Sequence, residues 1–85
     1  MLRIDEDRTG CVTRLRLSGR IQSEDIAWIE SALSGSCLRK VLDLGNVTLA
    51  DLGVIQFLIR CEDEGIQLDH CPPYVREWIL RERAE

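Results

Sequence analysis

The chain has 85 residues, 45% hydrophobic and 31% charged, with a formal net charge of −4. That length holds one domain, 1–85, and the apolar share supports a packed core rather than disorder. An acidic chain without a basic block repels phosphate backbones, which argues against nucleic-acid binding, and no apolar run approaches the ~20 residues of a membrane-spanning helix.

The opening segment, Met1 to Asp7, is acidic and lacks the apolar stretch of a signal peptide, so the expected location is the cytoplasm. Four cysteines, Cys11, Cys37, Cys61 and Cys71, are too few for a disulfide-built scaffold and form no C-x-x-C pair. They read as small apolar residues in a reducing compartment.

Leu2-Arg3-Ile4-Asp5 alternates and predicts a short strand. Asp7-Arg8-Thr9-Gly10 has turn chemistry, and Cys11 to Leu17 alternates again. Thr13, Leu15 and Leu17 fall on one face of that second strand, Val12, Arg14 and Arg16 on the other. Together these segments predict a hairpin. Ser18 to Gln22 is expected to leave the sheet. Ser23 is the expected N-cap of a first helix, with Glu24 and Asp25 in its first turn and Ile26, Ile29 and Leu33 at helical spacing. Gly35 is its expected stop.

Lys40-Val41-Leu42-Asp43-Leu44 predicts a buried strand, parallel to its neighbours. Gly45-Asn46-Val47-Thr48 is expected to turn the chain. Asp51 can cap a second helix over about 52–63, whose apolar positions nearly encircle its axis and demand burial. Gly65 follows the acidic run Glu62-Asp63-Glu64, and Ile66 to Asp69 predicts a last short strand. Pro73 suits the first position of a final helix with Tyr74, Val75, Trp78 and Ile79 as its stripe and Glu77 paired with Arg81 on the wet side. The order β-β-α-β-α-β-α predicts an α/β fold. Its mixed sheet carries the helices mainly on one face, and Arg3, Asp5, Arg14 and Arg16 on the other.

Several residues invite chemical readings. Asp43 and Asp51 both lie near strand ends, where open α/β sheets place ligands, but no third polar partner accompanies them, and Asp43 is expected to satisfy loop amides. His70, Cys71 and Cys61 do not share the spacing of a metal site, so neither a metal nor a cofactor is expected. The acidic run 62–64 reads as a solvated turn or, alternatively, a docking patch for a basic partner. Trp28 lies off the first helix's stripe, as packing on the hairpin edge or as an interface anchor.

The stretch Val41-Leu42-Asp43-Leu44-Gly45-Asn46-Val47-Thr48-Leu49-Ala50-Asp51-Leu52-Gly53 resembles the signature of STAS domains, which include the anti-sigma factor antagonists. That signature is an apolar strand ending in Asp-Leu, a short turn, and Asp-Ser-x-Gly opening a helix. Leu15 to Ile21 is similar to the family's early strand, and Gly65 to Leu68 to the strand after its signature helix. The resemblance spans nearly the whole chain. One feature departs from it: the family's phospho-switch serine is replaced, because Leu52 follows Asp51. Counting from Asp43 puts Asp51 at the motif aspartate; counting back from Gly53 puts it at the phosphoserine position, as a fixed charge.

The resemblance implies a single STAS-like domain acting as a non-catalytic, protein-binding regulatory module in bacterial signalling and transcription regulation. It implies an anti-sigma factor of the histidine-kinase-like ATPase class as partner, met through Asp51, Leu52, Gly53 and Ile55 with Thr48 and Asp43 beside them. It implies no phosphorylation site and no direct membrane insertion. The alternatives are a structural STAS subunit of a lipid-trafficking ABC transporter and a thiol-based sensor or enzyme using Cys61, Cys71 and His70.

Overall fold

The computed structural model describes residues 2–34 and 39–84. The expected stop at Gly35, and Cys37, lie outside the described residues. Among the described residues, four strands and three helices follow the expected order: β1 (Arg3–Thr9), β2 (Val12–Ile21), α1 (Ile26–Leu33), β3 (Arg39–Ala50), α2 (Leu52–Asp63), β4 (Gln67–Asp69) and α3 (Pro73–Arg83), with a 3-10 turn at Ser23–Asp25 ahead of α1. The sheet order is β1-β2-β3-β4. The β1–β2 hairpin is antiparallel, and β2–β3 and β3–β4 are parallel, making the fold α/β with a mixed sheet.

The hairpin is longer than expected. Asp7 to Thr9 continues β1, and the turn is the two residues Gly10 and Cys11 between the paired Thr9 and Val12. Such a short loop requires positive φ, which Gly10 supplies at 61° without a Cβ penalty. Cys11, read from the sequence as a small apolar residue, is exposed at the hairpin tip.

Alternation along β2 holds to its end. Thr13, Leu15, Leu17 and Ile21 are all buried, so Ser18 to Ile21 stays in the sheet rather than leaving it. The same correction applies to Gly45 to Thr48, which lies inside β3. Between the pairs Arg16–Asp43 and Ser18–Asn46, β3 carries one more residue than β2, and it does so again between Gly19–Val47 and Arg20–Leu49. These are β-bulges, and they absorb a segment whose composition otherwise reads as a turn. The first bulge also shifts the side-chain phase. Leu42 and Leu44, then Val47 three residues on, all join the core.

That core lies on one side of the sheet. Ile29 and Leu33 of α1, Val54, Ile55, Phe57, Leu58 and Cys61 of α2, and Val75 and Ile79 of α3 pack against Leu2, Leu15, Leu17 and Ile21. The α2 boundaries are those expected, and its near-complete apolar surface is buried except at Leu52 and, in part, Ile59. On α3, Val75 and Ile79 are fully buried while Tyr74 is exposed. Pro73 occupies the first turn of α3, and Arg81 donates to Glu77 at 2.8 Å on its wet side.

The acidic run at the C-terminal end of α2 has an internal partner. Glu62 accepts from Arg76 at 3.0 Å and from Arg83 at 3.1 Å, and Asp63 accepts from Arg83 at 3.1 Å. It is thus neither a plain solvated turn nor a free acidic patch at these two positions: it clamps α3 to α2.

Candidate functional site

Two clusters of polar side chains emerge at separate places. The first is the N-terminus of α2. Asp51 is its N-cap in extended conformation (φ −99°, ψ 176°), and its Oδ1 accepts from the Val54 N–H at 3.0 Å. The same carboxylate is held from outside the helix. The Ser23 N–H donates to Oδ2 at 3.0 Å, and the Ser23 hydroxyl lies 3.0 Å from Oδ1 and 3.1 Å from Oδ2. The Val54 N–H is the largest influence on the Asp51 carboxyl. With the Ser23 bonds it outweighs the opposing effect of desolvation, holding the group below its ordinary value of 3.8.

Ser23 is therefore not the N-cap expected of it. Gln22 takes that place at the 3-10 turn, and the Asp25 carboxylate accepts from the Gln22 N–H at 2.9 Å. The Ser23 hydroxyl is spent across the fold, and no pattern local to residues 18–30 signals this. Gly53 is part of the same contact: a Cβ there would lie 2.3 Å from Ser23 Oγ.

Around this cap the surface is apolar. Leu49 is 55% exposed at the end of β3 and Leu52 is 46% exposed at the start of α2. Thr48 is exposed in β3. Ile55, expected among the contact residues, is fully buried in the core and faces no partner. The helical pitch explains this: Leu52 and Ile55 are only three residues apart, yet Ile55 falls within the inward stripe with Val54 and Leu58.

The second cluster lies on the sheet face without helices. Asp43 does not join Asp51; the two carboxylates have different partners on different elements. Asp43 Oδ2 accepts from Arg14 Nη2 at 3.0 Å, and Arg14 Nη1 reaches Asp69 Oδ2 at 3.0 Å, so one guanidinium ties β2, β3 and β4 together. Asp43 Oδ1 accepts from the Gly45 N–H at 3.0 Å and lies 3.3 Å from His70 Nδ1. The expected loop-amide bond is present, and so are the additional polar partners that sequence reading missed. Burial alone would raise the Asp43 carboxyl, but the Gly45 N–H, Arg14 and the charge of His70 outweigh it and set it below 3.8. Alternation along β2 and β3 was the available signal, since it puts Arg14, Arg16 and Asp43 on one face.

The thiols and His70 are not brought together. Cys61 is buried in the core, where desolvation, with a smaller push from Glu64, raises its thiol to about 12. Burial also raises Cys71, which packs partly against the core. His70 is exposed beside Asp43. Among the described residues no group of three or more His, Cys, Asp or Glu side chains has the geometry to hold a metal ion. No helix among them is long and apolar enough to cross a membrane. Trp28 is 52% exposed on α1.

No family model matches the sequence, and no curated protein matches it. Among solved structures, the one described as "Crystal Structure Analysis of Mglu" is similar with a TM-score of 0.53 at 22% sequence identity. The match covers 76% of this chain and 18% of that one, so this chain corresponds to about a fifth of its length. The likeness is one of fold.

Proposed function

We propose that the chain is a STAS-like, non-catalytic protein-binding module, similar to an anti-sigma factor antagonist but without the serine switch. The observation that supports this reading is the α2 N-terminus: a rigidly capped helix start bordered by the exposed Leu49 and Leu52. Exposed leucines beside a fixed carboxylate are what a protein interface uses: apolar contacts that bury on docking, and a charge that orients the partner. The partner is an anti-sigma factor of the histidine-kinase-like ATPase class. It docks on Asp51, Leu52 and the adjoining Thr48–Leu49 segment. Gly53 supports the surface from behind by its contact with Ser23, and Asp43 and Ile55 lie outside it. With Asp51 or Leu52, and no serine, at the family's switch position, binding at this edge is not gated by phosphorylation there.

The test is calorimetric titration of the host's ATPase-class anti-sigma factors with the wild type and with Leu49→Glu, Leu52→Glu and Asp51→Ser. Saturable binding that the two Leu variants abolish, with circular dichroism unchanged, supports the reading. Asp51→Ser separates the cap from the charge, because serine also caps. Unchanged affinity in that variant rejects a role for the charge. No binding of the wild type to any member of the class overturns the proposal.

A further inference from the structure

Among the described residues, the exposed large apolar side chains are Trp28, Leu49, Leu52, Tyr74 and Leu80. Tyr74 and Leu80 stand on α3, and exposed apolar residues that stand singly are ordinary. The other three come from three different elements and gather around one junction. Leu49 of β3 pairs in register with Arg20 of β2. β1 begins at Arg3, opposite Ser18, and so does not run along Arg20 and Ile21. The space it leaves is a depression of about 380 Å³, which Arg20, Gln22 and Asp25 line together with Leu2 and Trp28. Gln22 is followed by Ser23, which holds Asp51, the residue before Leu52. Trp28 is thus joined to the α2 edge by two routes, through Arg20 to Leu49 and through Ser23 to Leu52.

The ground between these anchors is stiff. The Asp25 carboxylate accepts from the Gln22 N–H at 2.9 Å and closes the 3-10 turn on itself, and Ser23 fixes that turn to Asp51 through its N–H and its hydroxyl. A surface ordered before docking loses less conformational entropy when a partner arrives. It is also acidic. Over residues 18–28 and 47–56 the charged side chains are Glu24, Asp25 and Asp51 against the single cation Arg20. Arg3, next to Leu2, is engaged by Asp5 at 3.5 Å and adds no net charge. The N-termini of α1 and α2 offset about half a charge each, which still leaves the junction negative.

We propose that the docking surface extends from the α2 edge across the Ser23 junction to Trp28, and that the partner segment it takes carries an apolar stripe flanked by lysine or arginine. Leu49, Leu52 and Trp28 receive the stripe, and the carboxylates of the turn and the α2 cap face the flanking cations. Tryptophan is enriched among the residues that carry most of the energy of an interface, and complementary charge sets which partner docks and how fast. The proposal rests on the docking reading of the α2 edge and adds to it the α1 half of the surface and the chemistry of the partner.

The experiment is a two-dimensional NMR titration of the intact chain, following the backbone amides and the Trp28 indole N–H. The probe is an amphipathic helical peptide of leucine and lysine. A scrambled peptide of the same composition keeps the charge and loses the stripe; a leucine–glutamate peptide keeps the stripe and reverses the charge. The leucine–lysine peptide gives saturable shifts at Trp28, Arg20, Leu49 and Leu52 together, and both controls bind about tenfold more weakly or worse. Trp28→Ala weakens binding about tenfold and Glu24→Lys about threefold, with the amide spectrum unchanged elsewhere. Shifts confined to residues 49–53 that survive Trp28→Ala overturn the extension and leave the α2-edge reading standing. Equal binding of either control peptide overturns the stated partner chemistry. Absence of saturable binding overturns the proposal, whereas the α2-edge reading is decided by its own titration with the anti-sigma factors. Shifts of the same residues on concentrating the chain alone would make this face a contact between two copies, and would overturn the proposal as well.

Discussion

The Ser23 hydroxyl lies within 3.1 Å of both carboxylate oxygens of Asp51, across 28 positions of chain. The contact joins the turn before α1 to the cap of α2. Asp51→Ala removes the cap and every bond from Ser23, and costs about 0.5–2 kcal/mol. Ser23→Ala removes only the hydroxyl, because the Ser23 N–H still reaches Oδ2, and costs about 1 kcal/mol. The double mutant is less destabilised than the sum, with a coupling of about 0.5–1 kcal/mol. Urea unfolding of the four proteins measures it; strict additivity would mean that the hydroxyl contributes nothing through Asp51.

Gly53 supplies a sharper test of the same junction. Replacing a helical glycine by alanine ordinarily stabilises by up to about 1 kcal/mol. Here the new Cβ would lie 2.3 Å from Ser23 Oγ, so the hydroxyl must rotate away and surrender its bonds to Asp51. Gly53→Ala is therefore destabilising or neutral in the wild type. In a Ser23→Ala background the nearest Ser23 atom left is Cβ, at 3.3 Å, and the same substitution becomes neutral or stabilising. A shift in midpoint that has the same sign and size in both backgrounds would refute the steric account.

This junction marks the boundary of what the sequence made legible. The span of α2, its Asp51 cap, the Pro73 start of α3 and the Glu77–Arg81 pair depend on residues within a few positions of one another, and their patterns are readable directly. The core face of β2 follows from strict alternation. The errors have one origin: interactions between distant segments. Gly45 to Thr48 has the composition of a turn, yet parallel pairing with β2 keeps it in the sheet by means of two bulges. Ser23 has the chemistry of an N-cap, yet its hydroxyl is claimed by Asp51. Glu62 and Asp63 of the acidic run are paired by arginines 14 to 21 positions later. Asp43 shows both sides: its amide bond to Gly45 is local and was expected, whereas its ties to Arg14 and His70 needed the fold.

Acid should weaken the fold through these carboxylates. Asp43, Asp51 and Asp69 are all held below 3.8 in the folded chain. A carboxyl with a depressed folded value contributes stability that is fully present above its unfolded value and is lost as pH falls through the folded one. The melting temperature is therefore flat near neutrality and drops between about pH 5 and pH 2. Asp43→Asn is less stable than the wild type at neutral pH, because the neutral amide holds Arg14 less strongly. Its acid limb is shallower, because one titrating group is gone. Parallel acid limbs would show that Asp43 is not linked to folding.

The thiols separate by burial, and their reactivity distinguishes a structural role from a chemical one. Cys11 is exposed at the hairpin tip, Cys71 is half-buried with its thiol raised by desolvation, and Cys61 is in the core with its thiol at about 12. A thiol reacts as its thiolate, so a buried thiol raised that far is inert at neutral pH. In a Cys37→Ser variant, titration with an aromatic disulfide gives one fast thiol, one slow thiol, and a third that reacts only as the chain unfolds. Adding Cys11→Ser abolishes the fast phase, and adding urea releases Cys61 at the unfolding midpoint. A fast phase that survives in the Cys11→Ser/Cys37→Ser protein would instead assign a reactive thiolate to Cys71, one residue from His70, and would favour the thiol-sensor alternative over a docking module.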